Sequence, residues 1–413
     1  MVAEHRRDRL PLFVMMAAGG TSAIGNMLTN VAIPWFVLQT TGSASRTGIA
    51  AAAAVLPVVI AGVFGGTFVD RIGYKRASVI SDLASGVTVA TIPLLHLTVG
   101  LAFWQLLALV FLGALLDAPG MTGRQSLIPE LSRRAGVGLE GANSAHGAIQ
   151  RAATMAGPIL AGVLIAMMGA SNVLWVNAAT FAVSAGAIGL AVPSPERVRR
   201  LVRPATGYFT ELAEGFLFVQ RDRLIVTLLV VVTITNLLTA PLFAVILPVY
   251  ASTVFGSAVN LGVMLGGFGG GALVGAVLYG AVGHRLPRRM TFMIAFLLSS
   301  ASLGGLAFLP GVALATVILV LCGLLAGPVS PLLMTLLQER TPDGMRGRVF
   351  GMVMATAWIA MPLGMLLSGL ALEYFGVRAT IIAITAGSVA ASLTLFVNPA
   401  LREMDERVLS AED

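Results

Sequence analysis

Charge is what this sequence has least of. Asp, Glu, Lys and Arg make up 11 % of its 413 residues, against roughly 25 % in an ordinary soluble domain. A water-soluble fold of this length needs many more ionised side chains to cover its surface. A cytosolic enzyme and a nucleic-acid-binding domain are therefore excluded. Cysteine is almost absent too. Cys322 stands alone inside an apolar run, so no intramolecular disulfide can form and a disulfide-held secreted scaffold is excluded. The four histidines and one cysteine show no spacing that fits a metal site. No Gly-x-x-x-x-Gly-Lys-Ser/Thr segment is present to cradle phosphates. No cofactor, no bound metal and no ATP chemistry within the chain are expected, and the sequence does not read as an enzyme.

Apolar residues fill the space that charge leaves. The AVILMFWYC set reaches 57 %, 47 glycines come on top of it, and the mean hydropathy is +0.91. The solvent for most of this chain is lipid. The first 30 or so apolar residues after Glu4-His5-Arg6-Arg7-Asp8-Arg9 are too long for the core of a cleavable signal, so the first span is expected to stay in the mature protein. A bilayer core of about 30 Å needs about 20 apolar helical residues. On that measure spans fall near 11–39, 47–69, 77–97, 101–123, 143–168 and 172–192, and again near 224–251, 258–283, 290–309, 312–337, 347–372 and 376–397. The expected class is an all-α membrane protein of twelve transmembrane helices in two groups of six. The expected domains are 1–192, a linker at 193–223, and 224–413 with a short tail.

Basic residues orient the spans. With the N-terminus cytoplasmic, 23 of the 26 Lys and Arg fall on the inner side, only Arg46 and Arg378 fall in outer loops, and Arg151 lies within a span. The positive-inside rule then puts both termini inside. The linker holds six arginines, with Phe209, Leu212, Phe216 and Val219 at helical spacing, which predicts an amphipathic helix on the inner membrane surface. Small residues every four positions, Ala153/Gly157/Ala161 and Gly262/Gly266/Gly270, predict close helix contacts, since lipid gives apolar helices no hydrophobic reason to associate.

The turn after the second span reads Gly66-Thr67-Phe68-Val69-Asp70-Arg71-Ile72-Gly73-Tyr74-Lys75-Arg76. A carboxylate, a tight reversal at Gly73 and a basic cluster suit an inner membrane face, and Asp70 could receive a helix N-terminus or an arginine. This stretch resembles the signature of the major facilitator superfamily, with Tyr74 where a basic residue is usual. In span 5, Gly157-Pro158 and Gly162 resemble that superfamily's antiporter motif, and a proline there bends the helix beside small residues that admit a neighbour. Further resemblance lies in Arg346-Gly347-Arg348 at the start of span 11, Asp117-Ala118-Pro119-Gly120 to Arg124 in span 4, Val31-Ala32-Ile33-Pro34-Trp35 in span 1 and Glu211-Leu212-Ala213-Glu214-Gly215 in the linker. Together the chain resembles the Tap-type and macrolide-type multidrug efflux proteins, drug:proton antiporters of that superfamily.

The resemblance implies two pseudo-symmetric bundles in the bacterial plasma membrane, a monomer, export of amphipathic compounds by alternating access, and inward proton flow as the coupling. Siderophore exporters and a lysophospholipid flippase share much of the pattern and remain alternatives. The resemblance also implies a latch in which Asp70 meets the start of span 11 at Arg346 or Arg348, with Gly66, Arg71, Gly73, Lys75 and Arg76 forming the rest of it. In the second half Arg288 and Arg289 persist, but Gly283 stands where the carboxylate would fall. Charges at membrane depth mark function or a structural pair. Asp82, Asp117, Arg124 and Arg151 form the candidate charge or proton network. Asp117 and Arg151 lie at matching depths, which suggests an ion pair. Asn26 and Asn30, four apart on one helix face, and Asn236 in span 7 are candidate polar groups of a substrate cavity, or else interhelical hydrogen-bonding residues. His146 reads as interfacial.

Overall fold

The computed structural model describes residues 8–193, 216–342 and 345–405; the side chains of residues 62–68, 70, 71 and 346–348 are outside the described set. Among the described residues the secondary structure is helical. The first six helices are α1 (Leu10–Thr41), α2 (Ala44–Ile72), α3 (Tyr74–Thr98), α4 (Phe103–Ala135), α5 (Leu139–Met168) and α6 (Ala170–Ala191). After the linker come α7 (Arg223–Phe255), α8 (Ala258–Arg285), α9 (Arg288–Phe308) and α10 (Val312–Arg340). The chain then continues from Arg346 to Val397.

Among the described residues, eleven helical runs are long and apolar enough to cross a membrane, one fewer than the sequence predicts, because the last spans 49 residues, Val349–Val397. At about 1.5 Å per residue that run is more than twice the bilayer core. It breaks at Gly376, whose φ of 75° and ψ of 175° are not helical; glycine alone takes that conformation without a Cβ clash. The pieces 346–375 and 377–397 are α11 and α12, and the twelve-helix reading is consistent with this division. Prolines bend rather than end the long helices: Pro34, Pro57, Pro119, Pro129 and Pro158 are all internal. In α7, two π-helical turns, Leu242–Ile246 and Ala251–Phe255, flank Leu247–Tyr250, which contains Pro248. A residue without an N–H loosens the i−4 ladder, and the wider turn re-pairs it.

Two compact units form. Unit 1 is residues 1–42, 49–200 and 257–262; unit 2 is 43–48, 201–256 and 263–413. In unit 1, α3 lies against α4 and α6, and α1 against α5 and α6. Small residues set these distances. A Cβ on Gly123 would come 2.7 Å from the Tyr74 carbonyl oxygen, and one on Gly113 3.2 Å from Thr88 Oγ1. At one end of the unit, Leu12, Met15, Leu127, Leu131 and Ile188 make an apolar core.

In unit 2, α8 and α10 touch through backbone. A Cβ on Gly271 would lie 2.1 Å from the Val320 carbonyl oxygen, and one on Gly323 2.2 Å from that of Phe268. The contacting row is Gly267, Gly271 and Gly275, one step out of register with the 262/266/270 ladder read from the sequence. At one end of unit 2, Arg340 closes its α10 against two carboxylates, Asp222 and Glu403, both at 3.1 Å. Asp222 also caps α7 by accepting from the backbone N–H groups of Leu224 and Ile225. Leu401 and Met404 of the C-terminal segment are fully buried there.

Candidate functional site

Unit 1 buries a charge cluster at a crossing of α1, α3, α4 and α6. Asp82 on α3 has no solvent exposure. Its Oδ1 accepts from Arg124 Nη1 of α4 at 2.6 Å, and its Oδ2 accepts from Ser184 Oγ of α6 at 2.6 Å. Both oxygens of this carboxylate are thus satisfied. Arg124 Nη2 then lies 3.7 Å from Asp117 Oδ1, one α4 residue reaching toward another two turns away. Asn26 of α1 donates through Nδ2 to Asp117 Oδ2 at 2.8 Å. Glycines make room for the guanidinium: a Cβ on Gly19 would sit 3.7 Å from Arg124 Cδ, and one on Gly120 3.5 Å from Nη1.

The two Asp carboxylates of unit 1 are not equivalent. Asp117 Oδ1 is buried and accepts no hydrogen bond. An unsatisfied buried carboxylate oxygen is rare and costly. One guanidinium faces two carboxyl groups, so the cluster carries a net negative charge unless one of them holds a proton. Oδ1 of Asp117 is the atom with room for that proton. His146 of α5, half-buried, lies within electrostatic reach of Arg124, so it belongs beside this cluster and not only at an interface.

Of the predicted network, Asp82, Asp117 and Arg124 come together and Arg151 does not. Arg151 is exposed on α5, and the expected Asp117–Arg151 pair is corrected to Asp117–Arg124. Matching depth on two helices was the only sign for that pair. Depth leaves the direction around each helix undetermined. Asn26 is drawn to Asp117, while Asn30, one turn on, is exposed. Sequence reasoning missed Ser184 and, next along α6, Asn177, which donates to Thr29 Oγ1 at 2.6 Å and accepts from Thr180 at 3.0 Å. Their signal was there: two polar residues seven apart on one face of an otherwise apolar helix.

In the antiporter-like motif, Gly157 admits Met27, whose Cβ lies 2.4 Å from where a Cβ on Gly157 would sit. Gly162 admits residue 258 of the same unit, whose carbonyl oxygen would be 2.5 Å from a Gly162 Cβ. Pro158 is buried between them. In the acidic turn, Gly73 is the single residue between α2 and α3, with φ 93°; Lys75 is half-buried and Arg76 exposed. The side chains of Gly66, Asp70, Arg71, Arg346 and Arg348 lie outside the described residues, as does the linker helix between 194 and 215.

Unit 2 holds a cavity of about 510 Å³ within itself, lined from α7 to α11. Its walls carry Phe243, Phe268, Phe296, Trp358, Met334 and Met354, with polar atoms from Thr235, Asn236, Thr239, Ser299 and Ser300. Asn236 donates through Nδ2 to the Ala357 carbonyl at 2.9 Å. Among the described residues no group of three or more His, Cys, Asp or Glu could hold a metal ion.

A family model described as transmembrane secretion effector matches residues 10–413. The multidrug efflux pump Tap of Mycobacterium tuberculosis is 36 % identical over 402 residues, 96 % of each chain. Macrolide efflux protein A of Streptococcus pyogenes is 22 % identical over 384 residues, 91 % of this chain and 92 % of that one. Among solved structures, a nucleoside transporter, NupG, superposes with a TM-score of 0.76 at 12 % identity, covering 94 % of this chain and 99 % of that one. A D-xylose–proton symporter gives 0.74 at 15 % identity, covering 93 % and 97 %. At those identities the likeness concerns the fold.

Proposed function

Because the chain belongs to the transmembrane secretion effector family of the major facilitator superfamily, we propose that it exports amphipathic small molecules from the cytoplasm. The export is driven by proton entry through alternating access. The observation that carries the reading is likeness to multidrug efflux pumps along essentially the whole chain. The buried cluster of unit 1 supports the coupling. Asp117 presents an unsatisfied oxygen beside a guanidinium already committed to Asp82, and proton uptake there would leave each carboxyl group of the cluster matched to a partner. A proton on Oδ1 cancels the surplus negative charge; its loss restores the pull of Asp117 on Arg124. Such a charge change is the kind of local event that biases a two-state element.

The basic residues put both termini in the cytoplasm, and the bundles 1–192 and 224–413 would rock about a central site, with the Asp70 turn as latch. The chain would work as a monomer. The test is direct. Cells making the protein should hold less of a fluorescent amphipathic substrate than cells without it, and collapsing the proton gradient should remove the difference. Equal efflux with and without the gradient would refute the coupling, and no difference for any compound of a broad toxic panel would refute export.

A further inference from the structure

We propose that the cavity inside unit 2 receives an uncharged, ring-bearing compound with a hydroxyl or N–H donor, and that Asn236 selects that donor; the proposal rests on the export reading above. Size comes first. About 510 Å³ lies within the range that holds a drug-sized ligand. The lining contains no Asp, Glu, Lys, Arg or His, so nothing in it balances a full charge. A permanent cation would lose its hydration there without a counter-ion, which ring faces offset only in part. Four aromatic rings supply flat apolar contact, and Phe243 and Phe268 meet at 4.4 Å with planes tilted by 46°, forming one corner.

The hydrogen-bonding inventory fixes the ligand's polarity. A carbonyl oxygen can only accept, so the Asn236 group facing Ala357 is the NH₂, and its Oδ1 is left over. That oxygen accepts no bond among the described residues and is not sealed from the cavity. The nearby hydroxyls give their protons to helix carbonyls: Thr239 to Thr235 at 2.8 Å and Ser299 to Phe296 at 3.1 Å. The wall is therefore rich in acceptors, and the complementary ligand donates.

The full chain in lipid nanodiscs would be titrated with N-phenyl-1-naphthylamine, which is neutral and has one N–H. Its N-methyl derivative, lacking that N–H, and the permanent cation ethidium would be titrated in parallel. Binding is read by tryptophan quenching against protein-free discs. The naphthylamine should bind about tenfold more tightly than either companion. Asn236→Leu should erase its advantage over the N-methyl derivative, and Ala326→Phe, which fills the cavity while leaving the Asn236–Ala357 bond in place, should weaken both neutral probes. Ethidium binding as tightly as the naphthylamine, or equal wild-type affinity for the N–H and N-methyl probes, would overturn the proposal even if Asn236→Leu failed to fold. Cellular export separates the two readings: a wild type that lowers accumulation of a toxic compound but fails these titrations keeps export and loses this cavity. A wild type that passes them and exports nothing keeps the cavity and loses export.

Discussion

The third and sixth helices of each unit are tied by a polar contact, but of different kinds. In unit 1, Asp82 of α3 accepts from Ser184 of α6, and Arg124 of α4 takes the other oxygen. In unit 2, Ser300 of α9 and Ser392 of α12 share a hydroxyl contact at 3.3 Å, and the neighbouring volume is an uncharged cavity. Ionised groups need partners at membrane depth, so unit 1 has filled its interior with a satisfied network. Unit 2 has no such groups there and can leave space. The difference separates two tasks that one polar, open site would perform badly: holding a proton in a defined place, and fitting varied apolar molecules.

The contrast breaks most severely at Arg124. Arg124→Ala leaves Asp82, buried and charged, without its cation, and should destabilise unit 1 by about 3–5 kcal/mol; thermal unfolding of the purified protein would register it, with Asp82→Asn/Arg124→Ala recovering part of the loss. Asp117→Asn comes next and acts on function alone. The amide can remain beside Asn26 and Arg124, so melting should change by less than about 1 kcal/mol, while gradient-driven export in everted vesicles disappears. Full export by that variant would leave the unit 1 cluster a structural lock only.

Packing sharpens the contrast at smaller scale. Gly271→Ala in unit 2 drives a methyl at a backbone carbonyl and should cost roughly 3 kcal/mol, whereas Gly25→Ala in unit 1 meets the side chains of Thr180 and Asn177, which can turn aside, and should cost about 1–2 kcal/mol. Equal losses on denaturation would mean that neither side chain yields. At the aqueous ends the effects are smallest. Arg340→Ala, removing a 13 %-exposed side chain from two carboxylates, should lower stability by about 1–2 kcal/mol and speed hydrogen exchange at 399–404. Arg133→Ala, whose side chain is 75 % exposed beside Glu130, should change nothing beyond about 0.5 kcal/mol.

Much of this was legible beforehand, because lipid imposes length and composition on every span. Helix after helix follows from runs of 20 or more apolar residues, and even the merged last run is divided at a glycine. What the sequence hides is rotation about each axis. Asp117 could have faced α5 and Arg151; it faces Arg124 and Asn26 instead. The eighth helix has glycines at 266, 267, 269, 270 and 271, so two ladders four residues apart are equally visible, and only the position of α10 selects 267/271/275. The cavity was invisible for a related reason: its lining residues come from five helices, and no single segment carries its pattern. Asn236 was named, but as a possible companion of Asn26 rather than as a wall of a site within its own half.

The two wide turns of α7 have a consequence for how this segment tolerates change. A π-turn holds one residue more than regular winding needs, so each is equivalent to a single inserted residue in an α-helix. Between them, Tyr250 is aimed so that its hydroxyl reaches the Pro310 carbonyl. Excising one residue from 242–246 would let the coil tighten to ordinary winding and swing everything beyond it by about 100°, taking the phenol off its acceptor. Natural homologues one residue shorter at that place should accordingly have something other than tyrosine at this position, and those that keep the extra length should keep the ring.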